Sequence, residues 1–127
     1  MKIIFVDAVN TFVVDGKMFE PLHKLLEEYP NRKIILTNAN NEQMDQFGLK
    51  NLPYELFTLK HAPDKVDPAY FHKMLENFGI QSQDALYFEH NLDAVKSAQS
   101  VGIMTHHYNP EAKDLESLQK FLNNNLD

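Results

Sequence analysis

Three polar residues, Asp7, Thr37 and Glu89, each follow directly on a short apolar run of the sequence. A carboxylate in such a place is either a nucleophile at the mouth of a sheet or simply the residue that ends a strand. A hydroxyl in the same place either caps the following helix or helps to bind an anion, because both roles use the N–H groups of a helix terminus. Which of these roles applies depends on whether the fold brings the three residues together.

The elements that carry these residues alternate between strands and helices. Runs of β-branched and aromatic residues predict strands, and apolar residues three or four positions apart predict helices. One helix has both ends marked, since Asp67 can cap it, Pro68 suits its first position and Gly79 can close it. The predicted strands are 2–6, 33–36, 85–88 and 103–105, and the predicted helices are 21–29, 68–78, 92–101 and 112–126.

Alternation of this kind predicts an α/β fold in which a doubly wound parallel sheet lies between two layers of helices. Ligands bind such sheets beyond the carboxyl ends of the strands, so we expect Asp7, Thr37 and Glu89 to converge there. After the first predicted strand, 12–14 and 17–19 flank an Asp-Gly pair, which is the turn that a tight hairpin favours.

The composition is that of one soluble globular domain, residues 1–127, without cysteine. With 18 acidic and 12 basic residues the net charge is −6, and the basic residues form no cluster beyond 31–33, so nucleic acid is not an expected partner. No apolar stretch is long enough to cross a bilayer or to form the core of a signal peptide. We therefore expect no membrane partner and a cytoplasmic location.

Four pieces of the sequence, in order, resemble the motifs of the haloacid dehalogenase (HAD) superfamily of aspartate-nucleophile hydrolases. They are Asp-Ala-Val-Asn-Thr at 7–11, Ile-Ile-Leu-Thr-Asn-Ala-Asn at 34–40, the segment 64–80 around its lysine, and the segment 85–103 with its Phe-Glu-His. The resemblance covers most of the chain and implies the same three-layer, Rossmann-like core. A shared fold does not by itself establish a shared activity.

The resemblance implies a site that hydrolyses phosphoryl compounds. Asp7 takes the place of the family's nucleophile, Thr37 and Asn38 that of its phosphate-binding residues, and Lys65 that of its charge-balancing lysine. In the family a Mg²⁺ ion usually screens the charge between nucleophile and substrate. The ligands implied for it here are Asp7 and Glu89.

Two positions depart from the phosphatase pattern of the family. Val9 stands where phosphatases carry a second aspartate, which protonates the leaving group and then activates water. Glu89 and His90 stand where the family has its metal-binding aspartates, and a second register would instead use Glu89 and Asp93 as the acidic pair. Dehalogenases of the superfamily also lack the second aspartate and work without metal, so Val9 alone does not exclude catalysis.

A cap domain, which closes the site in many members of the family, has no room in this sequence. The tight hairpin leaves none after the first motif, and the residues between Thr37 and Lys65 suffice for about one helix and one short strand. In the family an open site goes with large substrates or with a neighbouring subunit as lid. The expected partners are therefore a phosphorylated or macromolecular substrate and a homo-oligomer.

Two functional hypotheses stay open at this point. The first is a capless HAD-like hydrolase with weak activity on phosphoryl groups, in which Asp7, Thr37 and Lys65 are the catalytic residues. The second, based on Val9 and on the pair Glu89 and His90, is a catalytically inactive relative that binds a ligand or a protein.

Overall fold

The computed structural model describes residues 1–126. The apolar runs of the sequence form a parallel sheet of five strands, which are β1 (Ile3–Asp7), β4 (Lys33–Thr37), β5 (Glu55–Thr58), β6 (Ala85–Glu89) and β7 (Met104–His107). Their order in the sheet is β5-β4-β1-β6-β7, with β1 at the centre. The predicted doubly wound parallel sheet is therefore confirmed.

Helices cover both faces of this sheet. They are α1 (Glu20–Leu26), α2 (Asn41–Gln46), α3 (Pro68–Phe78), α4 (Leu92–Ser100) and α5 (Leu115–Asn125). Successive side chains of β1 point to opposite faces, so Ile4 and Val6 pack with α1 and α5 while Phe5 packs with α3 and α4. The two apolar clusters hold the layers together, and they leave the strand ends free for polar residues.

Several predicted boundaries need small corrections. Helix α3 begins and ends as predicted, with the Asp67 side chain accepting the Ala69 N–H at 2.9 Å and Gly79 in the left-handed conformation. Helix α5 begins at Leu115 rather than at residue 112, because Asp114 is the residue whose side chain caps it, and α1 ends at Leu26 rather than at residue 29. Three predicted strands run one residue further, because Asp7, Thr37 and Glu89 still pair with the neighbouring strand.

The connections after β1 and β4 are short. The predicted hairpin is present as β2 (Val13–Val14) and β3 (Lys17–Met18), and the residues between Thr37 and Lys65 form only α2 and β5. The tip of the hairpin rests on the end of α2, where a Cβ added to Gly48 would lie 2.2 Å from the Gly16 carbonyl oxygen. Within residues 1–126 every helix is too short or too polar to span a bilayer.

Candidate active site

The carboxyl edge of the sheet carries the three polar residues that end its neighbouring strands. Asp7, Thr37 and Glu89 are the last residues of β1, β4 and β6, and β1 lies between the other two. All three side chains are buried, and all three line one pocket of about 230 Å³. The structure thus brings together the residues that the parallel topology was expected to gather, while their chemical roles stay predictions.

Lys65 reaches this pocket from the loop before α3 and links the two carboxylates. Its Nζ donates to Asp7 Oδ1 at 2.8 Å and to Glu89 Oε1 at 3.0 Å, and the lysine is only 5% exposed. Two carboxylates buried this closely repel each other unless a cation lies between them. The ammonium group therefore offsets the repulsion between the two acids at the floor of the pocket.

The two oxygens of Asp7 have different surroundings. Oδ2 accepts from the Thr11 hydroxyl at 2.7 Å, from the backbone N–H of His90 at 3.3 Å and from the Nδ1 of the His90 ring. Among the described residues, Oδ1 accepts a hydrogen bond from Lys65 alone. Because each carboxylate oxygen has about two acceptor sites, Oδ1 keeps a lone pair while Oδ2 is fully engaged. Oδ1 is thus the oxygen of Asp7 that can react.

Glu89 is the most completely buried acid of the site, at 1% exposure. Its Oε1 accepts from Lys65 and from the Tyr87 hydroxyl, and its Oε2 accepts the Asn91 N–H at 3.1 Å. Tyr87 belongs to the same strand, two residues earlier, so both side chains point to one face of the sheet. These bonds fix the carboxylate, which serves here to position Lys65.

The charges of the cluster determine each other's pKa. Burial and the charge of Glu89 raise the pKa of Asp7, against the effect of Lys65. Burial also acts to raise the pKa of Glu89, but Lys65 and the hydrogen bond with His90 outweigh it and hold this pKa well below its ordinary value. Desolvation acts to lower the pKa of Lys65, yet the two carboxylates raise it above its ordinary value. Hydrogen bonds to Asp7 and Glu89 raise the pKa of His90 to about 10, against its burial.

The segment after β4 supplies the predicted phosphate-binding residues. The Thr37 hydroxyl accepts the Ala39 N–H at 3.2 Å, and its carbonyl accepts from the Tyr70 hydroxyl at 2.9 Å. Asn38 uses its side-chain oxygen to accept the backbone N–H of Lys65 at 2.7 Å. Asn38 therefore also holds the loop that delivers Lys65, a contact that spans 27 positions of the sequence and was not foreseen.

The predicted metal ligands form a cluster with a histidine. One ligand atom each of Asp7, Glu89 and His90 lies within 4.8 Å of the others. The His90 Nδ1 bonds Asp7 Oδ2 and lies 3.3 Å from Glu89 Oε2. A Mg²⁺ ion needs oxygen ligands at about 2.1 Å. An ion held by these two oxygens would take the place of the His90 nitrogen, so the residues as arranged do not fit Mg²⁺ while His90 keeps this contact.

Two further expectations about the site can be compared with the structure. Val9 lines the pocket with an apolar side chain, so its position offers no proton donor or acceptor. Asp93, the acidic partner in the second register, is exposed in the first turn of α4 and does not belong to the pocket lining. Glu89 and His90 thus line the pocket and Asp93 does not, while the preference for the first register stays a prediction.

Sequence reasoning missed three residues of the site. Tyr87 was read only as part of a strand, although its spacing of two from Glu89 puts both on one face. Gln43 and His61 also line the pocket, and the His61 ring contacts the Gln43 side chain at 2.5 Å. No periodicity or motif marks His61, because it lies in a loop whose path is set by tertiary contacts.

No protein-family profile matches the chain, and no curated protein is similar to it in sequence. Solved structures with a similar fold do exist. A HAD family enzyme from Bacteroides thetaiotaomicron, an aspartate-to-alanine variant in complex with magnesium and inorganic phosphate, superposes with a TM-score of 0.64. The superposition covers 87% of this chain and 95% of that one at 13% identity.

Two other structures are similar to the chain over most of its length. The core domain of a proposed phosphoglycolate phosphatase from Streptococcus pneumoniae has a TM-score of 0.57 and 18% identity, over 85% of this chain and 80% of that one. An uncharacterized protein from Corynebacterium glutamicum has a TM-score of 0.61 and 15% identity, over 95% of both chains. At these identities the likeness establishes the fold alone.

Proposed function

The chain has the haloacid dehalogenase-like fold, and from this premise we propose that it is a slow hydrolase of phosphoryl compounds with Asp7 as its nucleophile. The observation that carries the proposal is the ion pair between Lys65 Nζ and Asp7 Oδ1 at 2.8 Å, inside a pocket also lined by Thr37 and Asn38. A buried carboxylate paired with a lysine, beside a hydroxyl and an amide, is suited to bind and attack a phosphoryl group.

The proposed reaction has two steps at phosphorus. Asp7 Oδ1 uses its free lone pair to form a bond to phosphorus, and the bond from phosphorus to the leaving oxygen breaks. The Lys65 ammonium and the Thr37 hydroxyl hold the phosphoryl oxygens and balance their charge during this transfer. Water then attacks the phosphorus of the aspartyl phosphate, which releases inorganic phosphate and restores the Asp7 carboxylate.

The absence of an acid at Val9 sets the expected rate. A positioned general acid or base contributes about 10²- to 10⁴-fold to the rate, and any group that takes this role here must come from outside the first motif, so we expect turnover to be slower than in phosphatases with a second aspartate. The proposal therefore concerns a weak hydrolase, in agreement with the first hypothesis from the sequence.

In this proposal His90 takes over the role that a metal ion has in other members of the family. The ring carries a positive charge at neutral pH, because its pKa is raised to about 10, and it faces Asp7 and Glu89. We infer that this cation supplies the charge compensation for which other members use Mg²⁺. The alternative, in which His90 turns away and Asp7 and Glu89 bind Mg²⁺, is decided by the same assay.

The test is an assay of a panel of phosphate monoesters with Mg²⁺, with Mn²⁺ and with a chelator. We expect slow release of inorganic phosphate that persists in the chelator and is abolished by Asp7→Asn. Asp93→Asn is the matched control, because Asp93 is an exposed aspartate outside the pocket. Turnover that survives Asp7→Asn would exclude Asp7 as the nucleophile, and turnover that requires added Mg²⁺ would exclude the role given to His90.

The second candidate function is a catalytically inactive binding module. It is favoured by one observation, namely that His90 and Thr11 together saturate Asp7 Oδ2 while Val9 leaves no general acid at its position. No turnover on any ester, with none gained in the double variant Val9→Asp and Glu89→Asp, would support it. The expected macromolecular substrate and homo-oligomer stay predictions, and size-exclusion chromatography with light scattering tests the latter.

A further inference from the structure

His61 is a polar residue of the pocket that the proposed reaction does not use. It lies in the loop between β5 and α3, four residues before Lys65, and lines the same pocket as Asp7. Its side chain is 39% exposed, whereas Asp7 and Lys65 are buried at the floor. His61 is therefore at the open side of the pocket, where the part of a substrate that leaves must pass.

Both ring nitrogens of His61 face oxygen acceptors. Nδ1 lies 2.6 Å from Asp64 Oδ1, and Nε2 lies 2.5 Å from Gln43 Oε1. The Gln43 oxygen is identified by a second partner, because it also accepts the backbone N–H of Asn40 at 3.0 Å. Since an oxygen acceptor needs a hydrogen on the facing nitrogen, the two contacts form together only when both ring nitrogens carry one. Bound in this way, the ring donates a hydrogen bond from each nitrogen.

The two hydrogen bonds of His61 have different roles, because Asp64 orients the ring whereas Gln43 has a second hydrogen-bond donor. Asp64 orients the ring through Nδ1, as a carboxylate orients the imidazole in other proton-transfer sites. Gln43 Oε1 keeps the Asn40 N–H as a partner when His61 Nε2 turns away from it. The Nε2 proton can thus be transferred without leaving an unpaired polar group on the protein.

A tight turn of the backbone carries the His61 side chain. Lys60 and His61 have φ values of 53° and 67°, a left-handed conformation that residues with a side chain adopt uncommonly. The Ala62 N–H donates to the Leu59 carbonyl at 3.0 Å, so Lys60 and His61 are the two central residues of a hydrogen-bonded turn, in which two successive positive φ values are regular. This turn fixes the position from which the His61 side chain reaches the pocket.

We propose that His61 is the proton donor to the leaving oxygen, in the role that Val9 cannot fill. This inference rests on the proposed function. Among the described residues that line the pocket, the other basic side chains are Lys65 and His90, and both are bound to Asp7. His61 is bound to neither acid of the floor, so its proton is available to a substrate.

In the proposed reaction His61 first gives up a proton and later regains one. As the bond from phosphorus to the leaving oxygen breaks, Nε2 gives its proton to that oxygen, and an alcohol departs. The neutral ring then accepts a proton from the water that attacks the aspartyl phosphate. The products are the alcohol and inorganic phosphate, and the imidazolium and the Asp7 carboxylate are both restored.

The test compares two esters that differ in their need for a proton. Glycerol 2-phosphate has a poor alkoxide leaving group, whereas 4-nitrophenyl phosphate has a good one that departs without protonation. We expect His61→Gln to lower kcat/KM for glycerol 2-phosphate by about 10²- to 10⁴-fold and for 4-nitrophenyl phosphate by less than about tenfold. Asp64→Asn should give the same preference with a smaller loss. His72→Gln is the matched control, because His72 is exposed on α3 outside the pocket.

A second variant keeps the test decisive if His61→Gln folds poorly. Glycine accepts the φ of 67° at this position, so His61→Gly should fold, and added imidazole should restore part of its activity on glycerol 2-phosphate. An equal loss on both esters, or no loss, overturns this inference while leaving Asp7-dependent hydrolysis in place. Absence of Asp7-dependent hydrolysis of either ester by the unaltered protein overturns the proposed function, and this inference with it.

Discussion

The floor and the rim of the pocket are built in different ways. The floor consists of Asp7, Lys65 and Glu89, which are at most 5% exposed and are paired with each other. The rim carries His61 and Val66, which are exposed and lie on the loop before α3. At the floor one arrangement satisfies every charge, and any unpaired group is costly there. At the rim, water can replace a lost contact, so the rim can vary without loss of the fold.

The largest effect on stability should come from removing the charge of Lys65, the cation of the floor. Lys65→Met leaves Asp7 and Glu89 buried without their shared partner, and the loss of one member of a buried ion pair costs about 3 to 5 kcal/mol. We expect the free energy of unfolding, measured with urea, to fall by about that amount. Val66→Ser at the exposed rim is the control and should change it by less than about 0.5 kcal/mol. If both variants lowered the free energy of unfolding by similar amounts, the contrast between floor and rim would be wrong.

A smaller effect should follow from removing one hydrogen bond of the floor. Tyr87→Phe deletes the hydroxyl that donates to Glu89 Oε1, and a hydrogen bond to a charged group contributes about 1.5 to 3 kcal/mol. Tyr108→Phe is a matched control, because the Tyr108 hydroxyl is buried without a hydrogen-bond partner in the described residues. We expect a loss of stability in the first variant and none in the second. Equal losses would mean that packing of the rings, not the bond to Glu89, decides the result.

A further effect should be the pH dependence contributed by His90, whose side chain is 27% exposed and so partly screened by solvent. Its pKa is raised from 6.5 to about 10 in the folded protein. A raised pKa of a base adds stability that is complete below 6.5 and is lost as the pH rises through 10. The difference in unfolding free energy between the protein and His90→Gln should therefore shrink over this window. If this difference in unfolding free energy were already lost near pH 7, the contacts of His90 with Asp7 and Glu89 would not raise its pKa as stated.

The fold was predictable because its elements are encoded locally. The apolar run of β1, the cap at Asp67 and the closing Gly79 each depend on a few adjacent residues, and all three are present as expected. The alternation of strands and helices then favoured a parallel sheet with helices on both faces. Errors were confined to element ends such as Asp7 and Asp114, where one side chain or one ladder bond decides the boundary.

The site was predictable only in part. The positions of Asp7, Thr37 and Glu89 followed from the rule that ligands bind at the carboxyl ends of parallel strands. The contact of Asn38 with the Lys65 backbone, and that of His61 with Gln43, join loops whose paths no local pattern defines. These contacts depend on how the chain closes over the sheet, and they had to be observed.

The sequence by itself determined which residue types stand at the ends of the strands, because strand and helix formation are short-range properties of the chain. Only the tertiary structure decided which donor each carboxylate oxygen of Asp7 meets, and that the His90 ring lies between Asp7 and Glu89. Directional hydrogen bonds and buried charges depend on distances of a few tenths of an ångström between segments far apart in the chain. Such distances are set by the packing of the whole molecule.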